Sequence, residues 1–100
     1  MNRTLATLTL LAASSQALAI DCAEFSRMAE ALMRSHQSGV PMTETIEVFD
    51  YIEDEAALKA IKTMIIMAYE KPRYSTEKMQ QREIADFRDK FAAACYRRKQ

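Results

Sequence analysis

The sequence is poor in residues that interrupt helices and in residues that build catalytic or metal sites. It contains one glycine, two prolines, one histidine and no tryptophan. So few glycines and prolines suit helices, and the few β-branched residues never alternate with polar ones as strands require. With His36 as the single histidine, the chain has too few imidazole groups for a histidine metal site, and Ser-His-Asp or Cys-His catalysis is disfavoured. The composition therefore favours a helical, non-enzymatic protein without a metal or cofactor.

The leading apolar run, residues 5–13, is too short to span a bilayer. Arg3 gives it a positive amino-terminal flank, and Ala17-Leu18-Ala19 fits the small-x-small pattern of a cleavage site. We predict a signal peptide over residues 1–19, cut after Ala19, and a single domain over residues 20–100. The protein is then periplasmic or secreted, with no stable membrane insertion after cleavage.

The two cysteines, Cys22 and Cys95, lie near the two ends of the predicted mature chain. In an exported protein such a pair is most simply a disulfide. Closing that loop contributes roughly 4.4 kcal/mol in the chain-entropy model, comparable to the whole stability of a small domain. An intermolecular bridge or two free thiols are the alternatives.

Apolar periodicity and capping residues predict an all-α fold, a compact bundle of about four helices closed by the disulfide Cys22–Cys95. Asp21 suits the first N-cap, and Gly39 suits a left-handed C-cap. Thr43, and then Ser75 or Thr76, suit later N-caps. The third helix has the widest apolar arc, so we expect it to be the most enclosed. The predicted helices span residues 21–37, 43–52, 54–70 and 75–97.

Charge is divided unevenly along the chain. Residues 20–55 carry nine acidic and two basic side chains, whereas residues 56–100 carry eleven basic and five acidic ones. One interpretation is that the halves complement one another within the bundle and that their outer faces, including the acidic run from Glu44 to Glu55, are simply solvated surface. The other is an acidic surface, with Glu44, Glu47 and Asp50 on the second helix, that docks a basic protein. Basic muramidases that cleave the cell wall are one candidate class.

The turn before the last helix, Tyr69-Glu70-Lys71-Pro72-Arg73-Tyr74, is the second candidate contact. Tyrosine and arginine are enriched in binding hot spots, which singles out Tyr69, Arg73 and Tyr74. Packing of the turn itself is the alternative interpretation. The methionines are more typical of an adaptable core than of a copper site formed with His36.

Three segments bracketed by Cys22 and Cys95 carry a family resemblance: Gln37–Met42, Ala68–Tyr74 and Gln80–Ile84. They resemble a group of small exported proteins of proteobacteria and their phages, and the Tyr-x-x-Pro-Arg-Tyr element is the most specific part. The resemblance implies export, helices and a disulfide, and it carries over no functional residue. A looser resemblance is to small disulfide-linked periplasmic acid-stress chaperones.

Two functions follow as hypotheses. The first is a non-enzymatic module that binds a periplasmic protein, a basic one by its charge, and that binds no nucleic acid. The second is a chaperone that opens at low pH, when protonated carboxyl groups no longer balance the basic half. The wide apolar arc of the third helix would also suit a homodimer.

Overall fold

The computed structural model describes residues 21–99, and every regular element in that range is a helix. This confirms the predicted compact all-α bundle. Cys22 and Cys95 form the predicted disulfide, with their Cα atoms 5.6 Å apart. The predicted signal peptide over residues 1–19 and its cleavage site lie outside the described residues. The helices are α1 (Cys22–Gln37), α2 (Met42–Glu47), α3 (Glu55–Tyr69) and α4 (Glu77–Arg98).

The ends of α1 are formed by local hydrogen bonds that the sequence predicts. The Asp21 carboxylate caps the first turn, accepting a backbone N–H at 2.9 Å. Gly39 has a φ of +86°. Its N–H donates to His36 O at 3.0 Å, and the N–H of Val40 donates to Ser35 O at 3.0 Å. These two bonds are the Schellman pattern, and they require the left-handed conformation that glycine adopts without strain.

The largest difference from the sequence prediction is at α2, which ends at Glu47 rather than at residue 52. Pro41 precedes it as N-cap, so the expectation that Thr43 is the cap is wrong. Three N–H groups between residues 48 and 52 bond to carbonyls three residues back, as in tight turns. No basic side chain in the last turn balances the helix dipole, and poor helix formers follow it, so the helix stops early.

The boundaries of α3 and α4 lie within one or two residues of the predicted ones. The Asp54 carboxylate accepts hydrogen bonds from Ala56 N–H at 3.0 Å and Ala57 N–H at 3.4 Å, so it caps α3. The Thr76 hydroxyl accepts from Met79 N–H at 3.3 Å, so Thr76 rather than Ser75 caps α4. Both caps satisfy N–H groups that a helix start otherwise leaves unpaired.

The helix at the centre of the bundle is α1, so the prediction that α3 is the most enclosed is wrong. α1 packs extensively on α4 and also on α3, whereas α3 and α4 make few contacts with each other. One side of α3 is therefore left to solvent, and Ile66 on that side is 46% exposed. The buried core comprises Ala29, Leu32, Met33, Met64, Ile65, Ala68, Ile84 and Phe87.

The apolar side chains that recur at three- and four-residue spacing along α4 pack against the rest of the bundle, as that spacing predicts. Ile84, Phe87 and Cys95 are buried, and Phe91 is half-buried between two other rings. The centroid of Phe91 lies 4.8 Å from that of Phe87 and 5.8 Å from that of Phe25, the latter in an edge-to-face arrangement. This aromatic cluster joins α1 to α4 beside the disulfide.

No helix within residues 21–99 combines the length and the hydropathy that crossing a membrane requires.

Candidate functional site

The turn that follows α3 folds against the carboxyl end of α1. We call residues 36–40 together with residues 69–74 the α1–turn junction. Most of the polar contacts in this junction run between a side chain of one segment and the backbone of the other. Because the turn has no regular secondary structure, its backbone groups depend on these side chains for hydrogen bonds.

Gln37 is the central residue of the α1–turn junction. Its side chain is buried, with 2% exposure. The amide nitrogen donates to Pro72 O at 2.8 Å, and Oε1 accepts from Tyr74 N–H at 2.9 Å. The amide therefore bridges two backbone groups of the turn, and its own hydrogen-bonding capacity is largely satisfied within the fold.

Arg73 completes the same contact from the turn side. Its Nε donates to Gln37 O at 3.2 Å, which engages a carbonyl at the end of α1. The guanidinium group lies over Gly39, where an added Cβ would sit 2.7 Å from Nη2. Gly39 thus meets two demands at once, a positive φ for the helix end and space for Arg73.

Tyr69 connects α3 to α2 and to the end of α1. Its hydroxyl lies 2.7 Å from Val40 O and 2.8 Å from the Thr45 hydroxyl. A carbonyl only accepts, so the single Tyr69 proton goes to Val40 and the Thr45 hydroxyl donates to Tyr69. Thr45 is buried, at 5% exposure, so this bond fixes the position of α2. The Tyr69 ring also contacts the His36 ring, with centroids 4.5 Å apart.

Two further side chains hold the backbone of the turn. His36 Nε2 lies 2.6 Å from Lys71 O, and since the carbonyl is the acceptor, Nε2 carries the proton. Gln80, on α4, donates from Nε2 to Tyr74 O at 2.7 Å. Side chains from α1 and α4 therefore fix the same turn from both sides.

The structure thus brings the three predicted contact residues of the turn, Tyr69, Arg73 and Tyr74, into one network. The Tyr69 hydroxyl, Nε of Arg73 and the backbone N–H and C=O of Tyr74 make bonds within the fold, which favours the turn-packing interpretation. Sequence reasoning missed Gln37 and Gln80, because polar residues are not selected by an apolar periodicity. The available signal was their place at the start of two segments that carry the family resemblance, Gln37–Met42 and Gln80–Ile84.

The second candidate is the acidic segment, which we define as residues 44–55. It is held by Thr45 and by the partly buried side chains of Ile46 and Phe49, which pack against the core. Glu47 and Val48, which lie between Ile46 and Phe49, are exposed to solvent. All three acidic residues predicted to bind a partner are exposed: Glu44, Glu47 and Asp50.

Two large apolar side chains of the acidic segment are also exposed. Val48 is 65% exposed and Tyr51 is 75% exposed. They follow α2 in the tight turns that replace its predicted last residues. Apolar side chains framed by carboxylates form an amphipathic surface, and tyrosine is among the residues enriched at interface hot spots.

The ion pairs of the structure lie elsewhere. Glu30 pairs with Arg34 at 3.6 Å and with Arg88 at 3.7 Å, the latter joining α1 to α4. The hydrogen bond from Arg88 to Asp89, at 2.9 Å, raises the pKa of Arg88, so this guanidinium stays charged. Among residues 21–99, no ion pair involves the acidic segment. Its carboxylates therefore project an unpaired negative field.

The described residues offer little for a metal. Between residues 21 and 99 no group of three or more His, Cys, Asp or Glu side chains is placed to hold an ion. The alternative copper set would use Met28, Met33 and His36. In the structure Met33 is fully buried, and His36 Nε2 is bonded to Lys71 O.

No protein-family model matches the chain, and neither a curated protein nor a solved structure does. Inference about function therefore rests on the α1–turn junction and the acidic segment.

Proposed function

We propose that this protein is a non-enzymatic, exported binding module whose acidic segment takes a basic protein as its partner. The observation that carries the proposal is the exposure of Glu44, Glu47 and Asp50 without an ion pair in the described range, beside exposed Val48 and Tyr51. Export is supported by the disulfide, which persists in oxidising compartments.

The acidic segment is favoured over the α1–turn junction because their side chains are differently engaged. Nε of Arg73 and the hydroxyl of Tyr69 make bonds within the fold, and an additional partner would have to compete for those two groups. The carboxylates of the acidic segment would gain their first charged partner on binding. We assign Tyr69 and Arg73 a positioning role, since Tyr69 fixes α2 through Thr45.

The chemistry of the segment specifies the partner. A partner that complements carboxylates around two exposed apolar side chains would carry lysine or arginine side chains around an apolar recess. Tyr51 would enter that recess. Charge pairs at the rim speed association and make it sensitive to salt, whereas a desolvated tyrosine contributes most of the affinity. Basic muramidases of the cell wall fit this description and are suitable first probes.

The experiment is a binding measurement with three forms of the protein against a basic muramidase and against a periplasmic extract. The first form is wild type, and the second carries Glu44→Gln, Glu47→Gln and Asp50→Asn. The third is a matched control with the same change in charge elsewhere on the surface, made by Glu24→Gln, Glu77→Gln and Asp86→Asn.

We expect wild type and the control to retain the same basic partner and the acidic-segment variant to lose it. Tyr51→Ala should also weaken the complex, and added salt should weaken it further. Arg73→Ala and Tyr74→Ala test the turn directly. Partner sets that are identical in all forms, or no partner at any salt concentration, would overturn the proposal.

A further inference from the structure

A groove opens at the disulfide end of the bundle, between α3 and α4. It exists because both helices pack on α1 while making few contacts with each other. Its volume is about 770 Å³, within the range of about 300–1,000 Å³ typical of small-molecule sites. It shares no residue with the acidic segment, so a ligand bound there would not depend on the proposed function.

The floor of the groove is apolar. Phe25 of α1 and Phe91 of α4 lie edge-to-face at its base, and both rings are only half-buried. The walls carry small side chains, Ala60 from α3 and Ala94 from α4. Flat rings between small walls make a smooth slot that suits an unbranched alkyl chain better than a branched side chain.

The charge around the groove has one sign. Lys59 of α3 lines one wall, and Arg98 and Lys99 line the end of the other. No carboxylate side chain of the described residues lines it. An occupant therefore needs an apolar body and a negatively charged end, since an apolar floor favours the first and the three cations favour the second.

The size of the groove argues for a small ligand rather than a protein. Ten residues line it, whereas a stable protein interface engages about 20–30 residues on each side. We propose that this groove binds an unbranched fatty acid. The alkyl chain lies over Phe25 and Phe91, and the carboxylate is held by Lys59, Arg98 and Lys99.

The test uses the full chain, exported by an expressing bacterium with its own leader, and dodecanoate below its micellar concentration as the probe. Calorimetry should show one bound dodecanoate per chain. When fatty acids with shorter chains are compared, the affinity should fall about fourfold for each methylene group that the groove no longer covers. Dodecyltrimethylammonium, which has the same chain length and a positive end, should bind much more weakly. Equal binding of the two probes would overturn the proposal that Lys59, Arg98 and Lys99 hold the carboxylate.

Two pairs of variants locate the site. Lys59→Glu should weaken dodecanoate binding by about three- to tenfold, whereas Lys62→Glu, an exposed lysine of the same helix outside the groove, should leave it unchanged. Ala60→Glu places a carboxylate in the apolar slot and should weaken binding by more than about tenfold. Ala93→Glu on the exposed face of α4 is its control.

Binding that responds equally to Ala60→Glu and Ala93→Glu would overturn the proposal, as would absence of dodecanoate binding. A second copy of the chain is the competing occupant. If sedimentation shows a dimer that Ala60→Glu dissociates and dodecanoate does not, the groove is a protein interface and the fatty-acid assignment is wrong.

Discussion

The α1–turn junction and the acidic segment are neighbours that use their polar residues in opposite ways. In the junction, the amide of Gln37, Nε of Arg73 and the hydroxyl of Tyr69 bond to backbone groups of other segments. In the acidic segment, Glu44 and Glu47 are exposed, and no ion pair of the described range involves them.

An unusual cluster of polar residues is therefore not in itself a binding surface. The Tyr-x-x-Pro-Arg-Tyr element is the most distinctive stretch of the sequence, yet its contacts explain it as a means of closing the bundle. The acidic side chains of the less distinctive acidic segment have no comparable internal role beyond the Asp54 cap. Mutation should therefore separate the two regions, with stability affected at the junction and affinity at the acidic segment.

The largest effect is expected from the disulfide, which lies at the other end of α1 and supports both regions. Cys95→Ser should lower the free energy of unfolding by about 4.4 kcal/mol, because it opens a loop whose two ends are 73 positions apart in the sequence. Urea denaturation measures this directly. Cys22→Ser should have the same effect, and clearly unequal effects would show that one cysteine has a further role.

The next effect should come from the centre of the junction. Gln37→Ala removes the buried amide and leaves Pro72 O and Tyr74 N–H without their partner, which should lower the free energy of unfolding by about 2 kcal/mol. Thermal unfolding should show it. Gln81→Ala, at an exposed glutamine of α4, is the control and should change stability by less than about 0.5 kcal/mol. Equal changes would remove the distinction between the junction and ordinary surface.

A smaller loss is expected at Gly39. Gly39→Ala places a Cβ at a positive φ, which costs about 1–2 kcal/mol, and also brings that atom against Arg73. Adding Arg73→Ala removes the steric contact but not the backbone strain. The double variant should therefore lose less stability than the sum of the two single variants. Ser38→Ala is the neighbouring control. If the stability losses of Gly39→Ala and Arg73→Ala simply add in the double variant, the close contact between residue 39 and Arg73 is contradicted.

The smallest change in stability should come from the acidic segment. Glu44→Gln, Glu47→Gln and Asp50→Asn together should alter the free energy of unfolding by less than about 0.5 kcal/mol, since these exposed groups make no ion pair within the described range. Circular dichroism during urea titration tests this. A loss as large as that of Gln37→Ala would mean that the acidic segment is structural too.

Most of the fold could be predicted from local chemistry. Asp21 and Thr76 cap helices, Gly39 ends one, and two cysteines in a chain predicted to be exported imply a bridge. These signals depend on residues within a few positions of each other or on a unique pairing. α2 was the exception, because the prediction over residues 43–52 followed the apolar spacing and did not weigh the poor helix formers that come after Glu47.

The candidate sites were less predictable because they depend on distant contacts. Gln37 is buried through partners in the turn 35 and 37 residues further along the chain. The groove exists because α3 and α4 both pack on α1 and make few contacts with each other, and no periodicity encodes that arrangement. The exposure of the acidic segment, in contrast, was one of the two interpretations that its charge supported.

The bridge between Cys22 and Cys95 has a consequence for proteolysis. It encloses nearly all of the described residues, including the links between successive helices. A protease that cut once in any of those links would leave both fragments covalently joined. On a non-reducing gel the nicked protein would migrate as one species, and reduction would be needed to release two.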